Sequence, residues 1–257
     1  MRRILVLALL LLPLAATATD QCKYQAPRAL KLDLAGVHGV QIEVHSHDVN
    51  LVGDGSATDL QLSGRACASD RSLLDKLQVT SRREGDQLIV DVGSKQGWFS
   101  INLFGSSYAY LDLKLQLPSG MPVTLDVGSG DAHASDLQQL ASHVGSGDLD
   151  VRRIAGKFSS SVGSGDVEAQ DIGSLELGSV GSGDFKATGI HGDARIGSIG
   201  SGDVTLRQVA GNVQASTLCS GDLTVKDVQG DLSVSAVGSG DVDHSGVKGK
   251  VSVPSDD

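Results

Sequence analysis

The stretch GSGDVEAQDIGSLELGSV at residues 163–180 is followed at once by Gly181-Ser182-Gly183-Asp184, so one unit ends where the next begins. Outward from it, Gly-Ser-Gly-Asp also begins at Gly128, Gly145, Gly200 and Gly238, and Cys219-Ser220-Gly221-Asp222 is the same unit with its first glycine replaced. Successive units are spaced by 17, 18, 18, 19, 19 and 19 residues. A period this regular is the signature of stacked repeats and outranks local propensity.

Alignment on the aspartate exposes apolar columns. One residue after it stand Ala132, Leu149, Val167, Phe185, Val204, Leu223 and Val242. Three after it stand Ala134, Val151, Ala169, Ala187, Leu206, Val225 and His244, and six after it Leu137, Ile154, Ile172, Ile190, Val209, Val228 and Val247. A second alternating stretch, such as Val213 with Ala215 or Leu232 with Val234, precedes the next unit. Alternation with period two places these residues on one face of a strand, and glycine recurs too often for a helix interior.

The fold expected is all-β: a single-chain parallel β-solenoid of about seven coils of 17–19 residues, preceded by an irregular β-rich N-terminal capping region. One coil could not stand alone. About six buried apolar side chains at roughly 1.5–3 kcal/mol each do not exceed the backbone entropy of ordering about eighteen residues, so stacking is obligatory. His244, interrupting its column, suits a coil near the exposed end, and the polar tail Pro254-Ser255-Asp256-Asp257 suits a cap.

The first residues read as an export signal. Arg2 and Arg3 precede an apolar run from Ile4 to Leu12, then Pro13 and a small-residue site at Ala16-Thr17-Ala18. Lipidation at Cys22 is disfavoured, because Thr19-Asp20-Gln21 lacks the apolar and small residues that precede a lipid-modified cysteine. The run is shorter than the roughly 20 residues of a membrane span. The expected organisation is a signal peptide at 1–18, a β-rich region at 19–120 and the repeat solenoid at 121–257. In an oxidising compartment Cys22 and Cys67 are the expected pair, with three free thiols as the alternative, and Cys219 belongs to the repeat.

Charge is uneven. Residues 20–119 carry 10 basic and 12 acidic side chains, whereas residues 120–257 carry 9 and 19. An acidic solenoid disfavours nucleic acid and anionic lipid as partners. In the N-terminal half, Val40-Ile42-Val44, Leu60-Leu62, Leu88-Val90-Val92 and the series Leu111 to Leu117 alternate as strands. A short helix is expected between Asp70 and Leu77, capped by Ser69 or Asp70. Trp98, Phe99, Phe104, Tyr108 and Tyr110 are expected to serve as core and cap, an exposed aromatic binding patch being the other reading.

The strand Leu111 to Leu117, the segment Leu117-Pro118-Ser119-Gly120 and the repeated Ser-Gly-Asp turns resemble a bacterial exported family of β-strand-repeat proteins of unknown function. Its members are described as candidate adhesins with auto-transporter head-like domains. The resemblance implies a non-enzymatic envelope or surface protein, with no catalytic residues to carry over.

Three chemistries compete with this reading. The aspartates Asp131, Asp148, Asp166, Asp184, Asp203, Asp222 and Asp241 are expected to accept hydrogen bonds from their own turns, calcium bound between coils being the alternative. His45 and His47, two apart on a strand by this reading, could supply two metal ligands, but no third is apparent, and no metal or cofactor is expected. Catalysis on carbohydrate needs convergent acids and stacking aromatics, whereas Phe158 and Phe185 fall at core positions, so no enzyme is expected. The Gly-x-Gly patterns lack the following helix of a nucleotide loop. The partner expected is a macromolecule of the envelope or surface, protein or polysaccharide.

Overall fold

The structure, a computed structural model, describes residues 22–93 and 107–254. The signal segment 1–18, Trp98, Phe99, Phe104 and the tail from Ser255 lie outside the described residues. The N-terminal half contains β1 (Tyr24–Asp33), β2 (Gly39–Val44), β3 (Asp48–Asp54), β4 (Asp59–Ala68), α1 (Arg71–Leu74), β5 (Val79–Glu84), β6 (Gln87–Val92) and β7 (Ala109–Pro118). Then follow β8 (Val123–Val127), β9 (Ala132–Leu137), β10 (Leu140–Val144), β11 (Leu149–Val162), β12 (Val167–Val180), β13 (Phe185–Ile190) and β14 (Ala194–Ile199). The last are β15 (Val204–Val209), β16 (Val213–Leu218), β17 (Leu223–Val228), β18 (Leu232–Val237), β19 (Val242–Val247) and β20 (Val251–Ser252).

The C-terminal half is a β-solenoid of about seven turns. Each Gly-Ser-Gly-Asp joins the end of one strand to the start of another, and equivalent strands pair in parallel. One wall runs β9, β11, β12, β13, β15, β17, β19, with Val167 beside Phe185 and Phe185 beside Val204. The other runs β8, β10, β11, β12, β14, β16, β18, β20. Alternation sends every second residue inward, and the aligned apolar columns are buried down to the last coil. Phe158 and Phe185, from opposite walls, are fully buried with ring centroids 6.3 Å apart. Ser142 and Ser160 interrupt one inward column, and each satisfies the other: their hydroxyls lie 2.9 Å apart. That pairing removes the cost of burying an unpartnered hydroxyl.

A corner recurs five residues after each aspartate. Asp136, Arg153, Asp171, Gly189, Gln208, Asp227 and Gly246 all hold positive φ, between 55° and 76°. L-residues adopt this conformation at a cost of about 1–2 kcal/mol each, which glycine avoids. Two acids and an arginine occupy it in the early coils, and there the Arg153 guanidinium, donating to Asp136 at 2.6 Å, holds that carboxyl below the usual carboxylate range. Gln208→Gly is expected to raise stability by a few tenths to about 1 kcal/mol, the relief of strain exceeding the added unfolded-chain entropy. Urea melts of the two chains measure it, and a loss of stability would contradict the assignment of strain.

The N-terminal region continues the same stack in a different chain order. β2 pairs in parallel with β8, and β3 with β9, so β2 and β3 form the coil preceding β8 and β9. Beyond it lie β6, parallel to β2, and β7, parallel to β3. The chain therefore enters at one level, leaves, forms the level beneath, and only then climbs into the repeats. Antiparallel strands close this end: β5 covers the edge of β6, while β4 pairs with β7 and β1 with β4. Covering those edges blocks further parallel addition.

The expected short helix is present as α1, with the Asp70 carboxylate accepting from Ser72 N–H at its N-cap. Its C-terminal end is held by Arg28, whose guanidinium donates to the carbonyls of Leu74 and Leu77. At the opposite end of the stack, His244 is exposed and Val242 and Val247 are only half-buried, as a terminal coil requires.

Candidate functional site

The Gly-Ser-Gly-Asp edge is built by close backbone approach. A Cβ on the second glycine of each unit would lie 1.8–2.1 Å from a backbone oxygen of the coil before it, at Gly130, Gly147, Gly165, Gly183, Gly202, Gly221 and Gly240. On the first glycine the approach is looser, 2.5–2.9 Å at Gly128, Gly145, Gly163, Gly181, Gly200 and Gly238. This difference explains why Cys219 is admitted at the first position. Between the glycines, Ser129, Ser146, Ser164, Ser182, Ser201, Ser220 and Ser239 are all exposed at the tips.

The aspartates form a ladder between coils, which corrects the expectation of bonding within each turn. Asp166 N–H donates to Asp148 Oδ1, Asp184 N–H to Asp166 Oδ1 and Asp203 N–H to Asp184 Oδ1. Asp222 and Asp241 continue it, at 3.0 Å each. The donor comes from the neighbouring coil because the turn's other amides are spent on carbonyls of the preceding coil, as with Ser182 on Gly163 and Ser201 on Gly181. Beside the ladder a groove of about 330 Å³ is lined by Asp131, Asp148, Asp150, Asp166, Glu168 and Asp184, with His133 and Lys186 as its basic members.

A second ladder went unread in the sequence. Asn212 N–H donates to Asp193 Oδ1, Asp231 N–H to Asn212 Oδ1 and Lys250 N–H to Asp231 Oδ1. Its signal was available: each of these residues directly follows Gly192, Gly211, Gly230 or Gly249, at the repeat spacing.

His45 and His47 lie in a turn, and so do not share the face of a strand. Val44-His45-Ser46-His47-Asp48-Val49 occupies the place that Val127-Gly128-Ser129-Gly130-Asp131-Ala132 takes in the next coil, with Val44 opposite Val127 and Val49 opposite Ala132. The two histidines thus stand at the two glycine positions. His47 is 6% exposed, its ring lies where a Cβ on Gly93 would fall, and its Nδ1 accepts from Leu111 N–H. Burial, reinforced by the nearby His45, holds its imidazole below the usual range, with Asp48 opposing. His45 turns elsewhere: its Nε2 lies 3.2 Å from Asp91 Oδ1, beside Glu43.

Cys22 and Cys67 are joined in a disulfide with Cα atoms 5.6 Å apart, and Cys219 is an exposed free thiol. Tyr108 and Tyr110 are half-buried, with ring centroids 6.3 Å apart. Phe158 and Phe185 are in the core, where a sugar ring cannot stack on them. Among the described residues no helix is long and apolar enough to cross a membrane.

The model of the family described as Toastrack DUF4097 matches residues 37–257. Among solved structures, a candidate lipid-binding protein of Parabacteroides distasonis is similar in fold, with 18% identity and a TM-score of 0.53, over 90% of this chain and 98% of that one. A candidate adhesin of Bacteroides fragilis aligns with 15% identity and a TM-score of 0.48, over 90% of this chain and 97% of that one. No curated protein matches the chain by sequence.

Proposed function

The chain belongs to the DUF4097 toastrack family, and from that premise we propose that it is an exported, non-catalytic β-solenoid of the cell envelope. In this reading residues 1–18 direct export and are removed, residues 19–120 close one end of the stack, and residues 121–257 present its repeating faces to an envelope or surface macromolecule. The observation that carries the reading is the edge of exposed serines beside laddered aspartates, one of each per coil. It offers hydroxyl and carboxylate groups at a strand spacing of about 4.8 Å, a periodic surface suited to an extended partner. The Cys22–Cys67 pairing fits an oxidising compartment. Engagement of the Asp148, Asp166, Asp184, Asp203 and Asp222 carboxylates by backbone N–H groups supports a structural role for the edge over one stabilised by calcium.

Protease shaving of intact cells, beside osmotic-shock fractionation, tests the reading with a tag after Asp257. The expected result is a chain beginning after Ala18 in the shock fluid or on the surface. Cys22 and Cys67 should resist alkylation until reduced, while Cys219 reacts directly. Digestion on intact cells directs the search to external partners, and protection directs it to periplasmic ones through crosslinking. Retention in the cytoplasm with Met1 to Ala18 intact would overturn the proposal.

A further inference from the structure

We propose that Glu43, His45 and Asp91 bind one divalent transition ion of the zinc class. Glu43 and Asp91 face each other in register on the parallel strands β2 and β6. Their neighbours Ile42, Val44, Val90 and Val92 are buried in the core, so alternation turns both carboxylates outward to the same face. His45 leaves the end of β2 and folds back over them. One ligand atom from each of the three residues lies within 4.8 Å of the others. Tetrahedral zinc ligands with bonds of about 2.0–2.2 Å stand roughly 3.4 Å apart, so small side-chain rotations close the set.

Two carboxylates opposite one another on paired strands repel, and Asp126 extends the row on the other side of Glu43. The row is withdrawn from water: Glu43 is 9% exposed, and the side chain of Asp91 13%. Arg82 partly offsets the charge, its Nη2 lying 3.3 Å from Glu43 Oε1. It also donates from Nε to Glu84 at 2.8 Å and is half exposed, so it can yield Glu43 to an ion. A neutral imidazole with two carboxylates matches a dication in charge. The nitrogen donor favours zinc, copper or nickel over calcium and magnesium, which select oxygen alone.

The repeats supply an independent argument. At the position of His45 six other turns carry glycine and one carries Cys219, so the turn does not need an imidazole there. His47, in contrast, is accounted for by its packing on Gly93 and its bond to Leu111. The open side of the cluster leads into a groove of about 520 Å³ that His45 and Glu43 share with Asp126 and His143, leaving room for a water or an external ligand on the ion.

Equilibrium dialysis of the purified chain against zinc chloride tests this, in a Cys219→Ser background that removes the competing thiol. One equivalent of zinc is expected to bind with a Kd of about 10 μM or tighter. His45→Gly, which installs the residue other coils use, and Asp91→Asn should each weaken binding at least about tenfold, with melting in EDTA unchanged. Arg82→Gln, which removes the competing cation, should tighten it. Absence of a saturable single equivalent would overturn the proposal. So would binding that persists in both ligand variants, which would place the ion on surface pairs such as His191 with Asp171.

Discussion

Gly183→Ala is expected to destabilise the protein by about 3 kcal/mol or more, read as a fall in the urea midpoint, because its methyl group has no space. A Cβ there would lie 1.8 Å from the carbonyl oxygen of Gly165 and 2.8 Å from two backbone carbons of the same coil. Backbone cannot swing aside as a flexible side chain can, so the two coils must part. Parting them strains the bonds from Ser182 and Gly183 N–H to the Gly163 carbonyl, and those that stack β12 on β13. Stability in such a stack is a sum of nearest-neighbour interfaces, and a break at this level divides the molecule near its middle. Gly240→Ala, with the same local clash at 1.9 Å, should cost less, because the terminal coil can splay without separating two halves. Gly120→Ala meets nothing within 4 Å and should be almost silent. Equal effects from Gly183 and Gly120 would refute the close-approach account.

Phe185→Ala is expected to cost about 3–5 kcal/mol, and Phe185→Leu less than about 1.5 kcal/mol. The ring is fully buried between Val167 and Val204 in its column and lies against Phe158 across the interior. Truncation leaves a void that neighbours fixed in parallel register cannot fill, since each is tied by its own ladder bonds above and below. The same two chains measured by chemical denaturation decide it. A Phe185→Ala chain as stable as Phe185→Leu would mean that the coils collapse around the lost ring.

Much of this was legible before any coordinates. The columns after each aspartate, the burial of both phenylalanines, the short capped helix after Asp70 and the exposure of His244 follow from period-two alternation, repeat spacing and local capping chemistry. Pairing of Cys22 with Cys67 was an expectation from position, and in the structure β1 and β4 bring those residues together as neighbouring antiparallel strands. Other features were misread for an identifiable reason. The turn chemistry points to aspartate bonds within each turn, whereas the donor is the amide of the next coil. Spacing alone puts His45 and His47 on a strand, because with both glycines replaced the turn no longer looks like the repeat.

The sequence by itself determined the solenoid, its coil length and the inward face, because those depend on residues close in the chain and repeated at one period. Only the tertiary structure decided the order of levels at the N-terminal end, where β6 and β7 lie beneath β2 and β3. That order rests on parallel pairing between strands with no shared motif and many residues between them. It is selected by which apolar faces stack and which edges the antiparallel strands must cover. The same stacking sets Asp91 beside Glu43 and His45, a meeting of side chains from separate strands that no local spacing encodes.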